Sequence, residues 1–104
     1  MKIAFIISEI ESQKIGTCLS SAKVFSVYDE ASNSFYSLER PEMIEGDPVA
    51  KKLSLFLKNN GINICVGNDL GPKAKASLEE NGISWFNPQE NENKEDIIKQ
   101  IKNT

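Results

Sequence analysis

The sequence predicts a single mixed α/β domain, with strands and helices in the order βββαβαβα and helices on both faces of one five-stranded sheet. Three observations carry this. The chain opens on a near-continuous apolar run, Ile3-Ala4-Phe5-Ile6-Ile7, which suits a central strand covered on both sides. Two short runs, Val24 to Tyr28 and Ser34 to Leu38, are separated only by a polar turn, which joins them as an antiparallel hairpin. Finally, the phrase Asn-Gly-Ile occurs twice, at Asn60-Gly61-Ile62 and at Asn81-Gly82-Ile83, each time after a helix-like stretch. A helix that stops on glycine and hands over to an isoleucine strand, twice in succession, implies parallel neighbours joined by right-handed crossovers.

The elements follow in order. After the first strand, Ser8 to Ser21 is a long polar loop, broken by Ile15, Gly16, Cys18 and Leu19; such a loop in a small domain is usually functional or mobile. The hairpin leads through a connector around Pro41 to Asp47-Pro48, read as an N-cap and first helical residue. Val49, Ala50, Leu53, Phe56 and Leu57 then fall on one helical stripe. Ile62 to Val66 is the fourth strand, Pro72 to Glu80 the second helix and Ile83 to Phe86 the fifth strand. A polar loop around Pro88 leads to Asn93, which caps a last helix carrying Ile97, Ile98 and Ile101.

At 104 residues the chain supports one core, so residues 1–104 are expected to form one domain. Its 12 basic side chains, of which Arg40 is the single arginine, are outnumbered by 15 acidic ones, for a net charge of -3. That balance fits a nucleic-acid backbone poorly, because such affinity rests on Lys and Arg neutralising phosphates. Histidine is absent, which removes Ser-His-Asp and Cys-His nucleophile machinery and every imidazole metal site. The apolar opening is too short for a signal segment or a membrane span. Cys18 and Cys65 form neither a C-x-x-C pair nor a disulfide framework, so a reducing, cytoplasmic setting is expected.

The stretch Ile62 to Asn81, INICVGNDLGPKAKASLEEN, holds the candidate site. A strand ends at Gly67, a tight loop follows, and Gly71-Pro72 opens a helix, an arrangement that presents backbone N–H groups to an anion. Lys73 would add charge, while Asp69 places a carboxylate in the same loop. The plainer reading is that Gly71-Pro72 simply starts a helix. Cys18, in its polar loop, is either a thiolate ligand or an ordinary small loop residue, with thiolate character deciding between them. Cys65, inside a strand, reads as a small core hydrophobe. Glu9, Glu11, Asp29 and Asp69 could be assembled into a two-metal nuclease site, but such sites place an acid within the first strand, where this chain has Ile3 to Ile7.

Phe25-Ser26-Val27-Tyr28-Asp29 after a loop, and Gly71-Pro72-Lys73-Ala74 after a strand, give the chain a resemblance to the dinitrogenase iron-molybdenum cofactor biosynthesis family from Met1 to about Lys102. The resemblance implies a ribonuclease-H-like mixed sheet and a role in binding or carrying iron-sulfur precursors or the finished iron-molybdenum cofactor. The family's His-Phe-Gly-Arg-Ala stretch matches Cys18-Leu19-Ser20-Ser21-Ala22 here, so Cys18 stands at the histidine and only Ala22 is retained. The family's glycine-rich second motif matches Asn68-Asp69-Leu70-Gly71-Pro72. The expectation is therefore a small non-enzymatic carrier working with metallocofactor assembly proteins. Cys18 would be the metal ligand, and Ser20, Ser21, Asn68, Asp69 and Gly71 would frame an iron-sulfur or iron-molybdenum species, the N–H groups of Ser20, Ser21, Asn68 and Gly71 orienting it. A homodimer would bring two Cys18 thiolates together. The alternative is an interaction or regulatory module that keeps the fold after losing the cofactor site.

Overall fold

The structure, a computed structural model, describes residues 1–16, 19–89 and 92–103. Its strands and helices are β1 (Lys2–Glu9), β2 (Lys14–Ile15), β3 (Val24–Asp29), β4 (Ser34–Glu39), α1 (Val49–Asn59), β5 (Ile64–Val66), α2 (Pro72–Glu80), β6 (Ser84–Phe86) and α3 (Lys94–Lys102). A 3-10 turn, Leu19–Ser21, precedes β3. The sheet runs β4-β3-β1-β5-β6, antiparallel between β1, β3 and β4 and parallel between β1, β5 and β6. The mixed sheet and its helices are as the sequence predicts. The structure adds a sixth strand, the two-residue β2, which folds back on the end of β1 with Ile7 opposite Ile15. Two residues are too few to leave a periodic signal, so this strand was hidden within the predicted loop.

β1 lies at the centre because it is apolar on both faces. Ile3, Phe5 and Ile7 join Tyr28, Val66, Ile97 and Ile98 in one cluster, beneath α3. Ala4 and Ile6 join Phe25, Val27 and Cys65 in the other, beneath Leu53 and Leu57 of α1 and Ala74 and Leu78 of α2. All five residues from Ile3 to Ile7 are fully buried.

The repeated Asn-Gly-Ile phrase has the same geometry both times. Gly61 and Gly82 adopt φ of +76° and +71°, the left-handed region where a Cβ is costly. The N–H of Ile62 donates to Leu57 O at 3.1 Å and that of Ile83 to Leu78 O at 2.9 Å, closing a Schellman turn after each helix. Asn60 and Asn81 donate through Nδ2 to Phe56 O and Ser77 O, holding the preceding turn. The two helix ends are thereby aimed back along the sheet, which is what makes β5 and β6 parallel to β1.

Helix α1 starts one residue later than expected, with Pro48 rather than Asp47 at the N-cap and no side-chain cap. Asp47 Oδ2 instead accepts from Ile44 N at 2.7 Å and from Lys52 Nζ at 2.9 Å. It closes the Ile44 to Asp47 turn ahead of the helix and reaches one turn into it. The Ile44 hydrogen bond first, then Lys52, holds its carboxyl below the ordinary value. Asn93 does cap α3 as predicted, its Oδ1 accepting from Asp96 N at 2.8 Å.

Candidate functional site

Three loops converge where β1, β5 and β6 end, the edge at which open α/β sheets place ligands. The first leaves β1 through β2 and returns at Ala22. The second runs from Gly67 to Gly71, and the third begins at Phe86 and Asn87. Hydrogen bonds tie each to the next. The N–H of Gly16 donates to Ile6 O at 2.7 Å, and the N–H of Asn68 donates to Gly16 O at 2.9 Å. Asn68 Nδ2 adds a second bond to Ile15 O at 2.9 Å, so this one residue clamps the second loop to the first. Gly67 N donates to Phe86 O at 3.2 Å, and Leu70 N to Asn87 Oδ1 at 3.3 Å, joining the second to the third.

The close approach at Gly16 depends on its lack of a side chain. A Cβ there would stand 2.9 Å from Ile6 Cγ2 and 3.2 Å from the Cβ of Ser8. Beneath the loops, Leu19 and Leu70 are buried on the α1/α2 side of the sheet and anchor the first and second loops to the core.

Arg40, at the end of β4, reaches this region too. Its Nη1 donates to Ser20 O at 2.6 Å and to Ala22 O at 2.9 Å, gripping the turn that leads into β3. Sequence reasoning noted Arg40 only as the single arginine and gave Asn87 no role. The signal for Arg40 was its rarity among lysines, since a planar guanidinium can hold two carbonyls at once; the signal for Asn87 was the Asn-Pro step just after a strand.

Of the predicted site residues, Asn68, Asp69 and Gly71 lie together on the second loop, with Asn68 and Asp69 exposed and Gly71 half-buried. Ser20 and Ser21 form the 3-10 turn of the first loop. Cys18, the predicted ligand, lies outside the described residues. The N–H of Asn68 does not face an anion as expected, because Gly16 takes it. Together with the partners of Gly67 and Leu70, this makes the second loop a brace between strands rather than a nest of open amides.

The N-terminus of α2 is different. Gly71 is its N-cap, Pro72 follows, and no side chain caps the helix. Helix geometry leaves the N–H groups of Lys73 and Ala74 without a carbonyl inside the helix, and a Cβ built on Gly71 meets nothing within 4 Å. This helix start is the partially positive end of the second loop.

Cys65 is fully buried in β5, and burial pushes its thiol up to about 12. It is a core residue and not a thiolate donor, as its place in the strand predicts. Among the described residues no group of three or more Cys, Asp or Glu stands close enough to hold a metal ion.

An open depression of about 400 Å³, lined by Glu79, Gly82, Ile83, Ser84 and Trp85, lies at the opposite end of β6. Trp85 Nε1 donates to Glu79 Oε1 at 3.0 Å, and Lys75 Nζ sits 4.3 Å from the indole centroid. These contacts fix the indole against α2, and the depression is separate from the three loops.

The sequence matches the family model described as dinitrogenase iron-molybdenum cofactor over residues 1–104. No curated protein matches the chain in sequence. Among solved structures, the chain is similar to the apo form of the orange protein from Desulfovibrio gigas, with a TM-score of 0.75 at 15% identity, covering 98% of this chain and 87% of that one. It is similar to PH0822, with a TM-score of 0.70 at 20% identity over 84% of this chain and 78% of the other. A putative NifB protein from Thermotoga, assigned to the DUF35 family, gives a TM-score of 0.64 at 18% identity, covering 85% and 76% of the two chains. At these identities the likeness is one of fold.

Proposed function

The chain belongs to the dinitrogenase iron-molybdenum cofactor family, and from that membership we propose that it is a non-catalytic protein of metallocofactor assembly that binds or carries an anionic iron-sulfur or iron-molybdenum species. The cargo would sit between the first loop and the uncapped start of α2, in a reducing cytoplasmic setting. The observation that carries this reading is the Asn68 clamp. It holds the loop that leaves β1 through Ile15 and Gly16, and the loop before Gly71, to the same edge of the sheet, through bonds of 2.9 Å to both Gly16 and Ile15.

The chemistry of the donors narrows the mode of binding. With no histidine in the chain and Cys65 sealed in the core, Cys18 is the one candidate thiolate ligand. A single thiolate does not hold a cluster by itself, so the cargo would keep its own ligands or share them with the delivering protein. Ser20 and Ser21 would border it on one side. Gly71 and the N–H groups of Lys73 and Ala74 would complement its negative charge on the other, while Asp69 would oppose it.

Anaerobic reconstitution with iron and sulfide tests the proposal. The expected result is visible absorption with bound iron and acid-labile sulfide, lost in Cys18→Ser and kept in Cys65→Ala. An unchanged spectrum in Cys18→Ser would remove Cys18 from the site.

The second reading, an interaction module of the same fold without the cofactor site, is favoured by one observation: the N–H groups of Gly67, Asn68 and Leu70 are all spent on internal acceptors. Protein that stays iron-free through reconstitution while copurifying with one specific partner would decide for it.

A further inference from the structure

We propose that β4 is the contact strand of a two-fold dimer, pairing antiparallel with β4 of a second copy so that Ser37 lies on the axis and Glu39 of one chain meets Lys94 of the other. This inference is independent of the cargo reading.

The sheet has two free edges, and they are unequal. β6 offers three residues, whereas β4 offers six and keeps regular register with β3 along its whole length, from Ser34 opposite Asp29 to Glu39 opposite Val24. Protected edges carry proline, lysine, inward charges or bulges. β4 has none of these, its single charge being Glu39 at the end. Two aromatic side chains are exposed along it, Phe35 at 43% and Tyr36 at 38%.

Register follows from geometry. Directly opposed residues of an antiparallel pair point to the same face, so the axis passes through a residue. With Ser37 on the axis, Phe35 opposes the second copy's Glu39 and Tyr36 opposes its Leu38. Phe35, Ser37 and Glu39 lie on the α3 face, since Phe35 pairs with Tyr28.

Lys94 of α3 stands on that face. Its Nζ is 5.5 Å from the Phe35 ring centroid, and its hydrogen bonds go to two neutral acceptors, Gln13 Oε1 at 3.1 Å and Ser26 Oγ at 3.2 Å. Ion pairs among the described residues join Met1 and Lys102 to Glu30 and Lys52 to Asp47, leaving Lys94 unpaired. Partial burial lowers its basicity, with Glu95 acting against that shift. Its own Glu39 lies two residues, about 7 Å at strand rise, beyond Ser37, the partner of Ser26, and no ion pair joins it to Lys94 among the described residues, whereas Glu39 of a second copy would stand directly across from Phe35. Pairing would therefore create two symmetric ion pairs. Centring the axis on Tyr36 instead would set Phe35 against Ser37 and leave Lys94 without a carboxylate.

Sedimentation equilibrium over a wide concentration range, with circular dichroism to confirm folding, tests this. The wild type is expected to form dimers. Glu39→Lys and Lys94→Glu are each expected to weaken dimerisation at least about a hundredfold, since like charges would then meet at both symmetric positions. The double charge reversal is expected to return the constant to within about tenfold of wild type. If a reversal fails to fold, Glu39→Gln keeps the side-chain shape and is expected to weaken association about tenfold. A monomer at every concentration would overturn the proposal. So would a dimer indifferent to the single substitutions, or a double variant no better than the singles.

Discussion

Cys65 sits in the middle of β5 with no exposed surface, and its thiol ionises only near 12, against 9.0 for a free one. Because the fold favours the protonated form, this contribution to stability is complete below pH 9.0 and is lost as pH rises toward about 12. Urea unfolding is expected to show the wild type weakening over that window more than Cys65→Ala, the comparison that cancels the titration of lysines and tyrosines. The position of Cys65 in an apolar run made its core role legible from sequence. Gly16 was less legible. Only the fold brings Ile6 and Ser8 up against it, and Gly16→Ala is expected to cost about 1–3 kcal/mol through overpacking, read as a lower midpoint in denaturant. Asn68→Ala removes a bond across 53 residues of sequence and is expected to cost about 1 kcal/mol. Its more telling effect should be faster proteolysis of the first loop, because the clamp to Ile15 is gone.

Elements were legible where the chain carries local punctuation. Asn60-Gly61 and Asn81-Gly82 mark helix ends because left-handed φ favours glycine and the Schellman bonds span only a few residues. The α1 stripe was readable for the same kind of reason, since Leu53 and Leu57 share one face and both are buried. The start of α1 was misread by one residue because Asp47 has a better use: it closes a turn with Ile44 and pairs with Lys52, a choice set by the connector's path. Ser54 is the flaw in this helix. Its Oγ is buried without a hydrogen-bond partner among the described residues, and Ser54→Ala is expected to raise stability by about 1 kcal/mol by removing an unpaired polar group and improving helix propensity. Urea titration followed by far-UV circular dichroism measures this directly.

At the scale of the whole molecule, α3 on one face and α1 with α2 on the other share β1 as their common wall. A shared central strand couples the two cores, so unfolding is expected to be a single transition. The fluorescence of Trp85, far-UV circular dichroism and heat capacity should give one coincident midpoint; separate midpoints would show that one helical layer comes away first. What the sequence by itself determined was the kind and order of the main elements, the hairpin, the parallel crossovers and the centrality of Ile3 to Ile7, because each depends on periodicity or on turn chemistry within a few residues. Only the tertiary structure decided which backbone groups remain open. Asn68 bonds to Gly16, Arg40 holds Ser20 and Ala22, and Lys94 rests on Ser26 beside Phe35. Those partners are 18 to 68 residues apart, and such pairings exist only once the sheet has brought its loops and edges together.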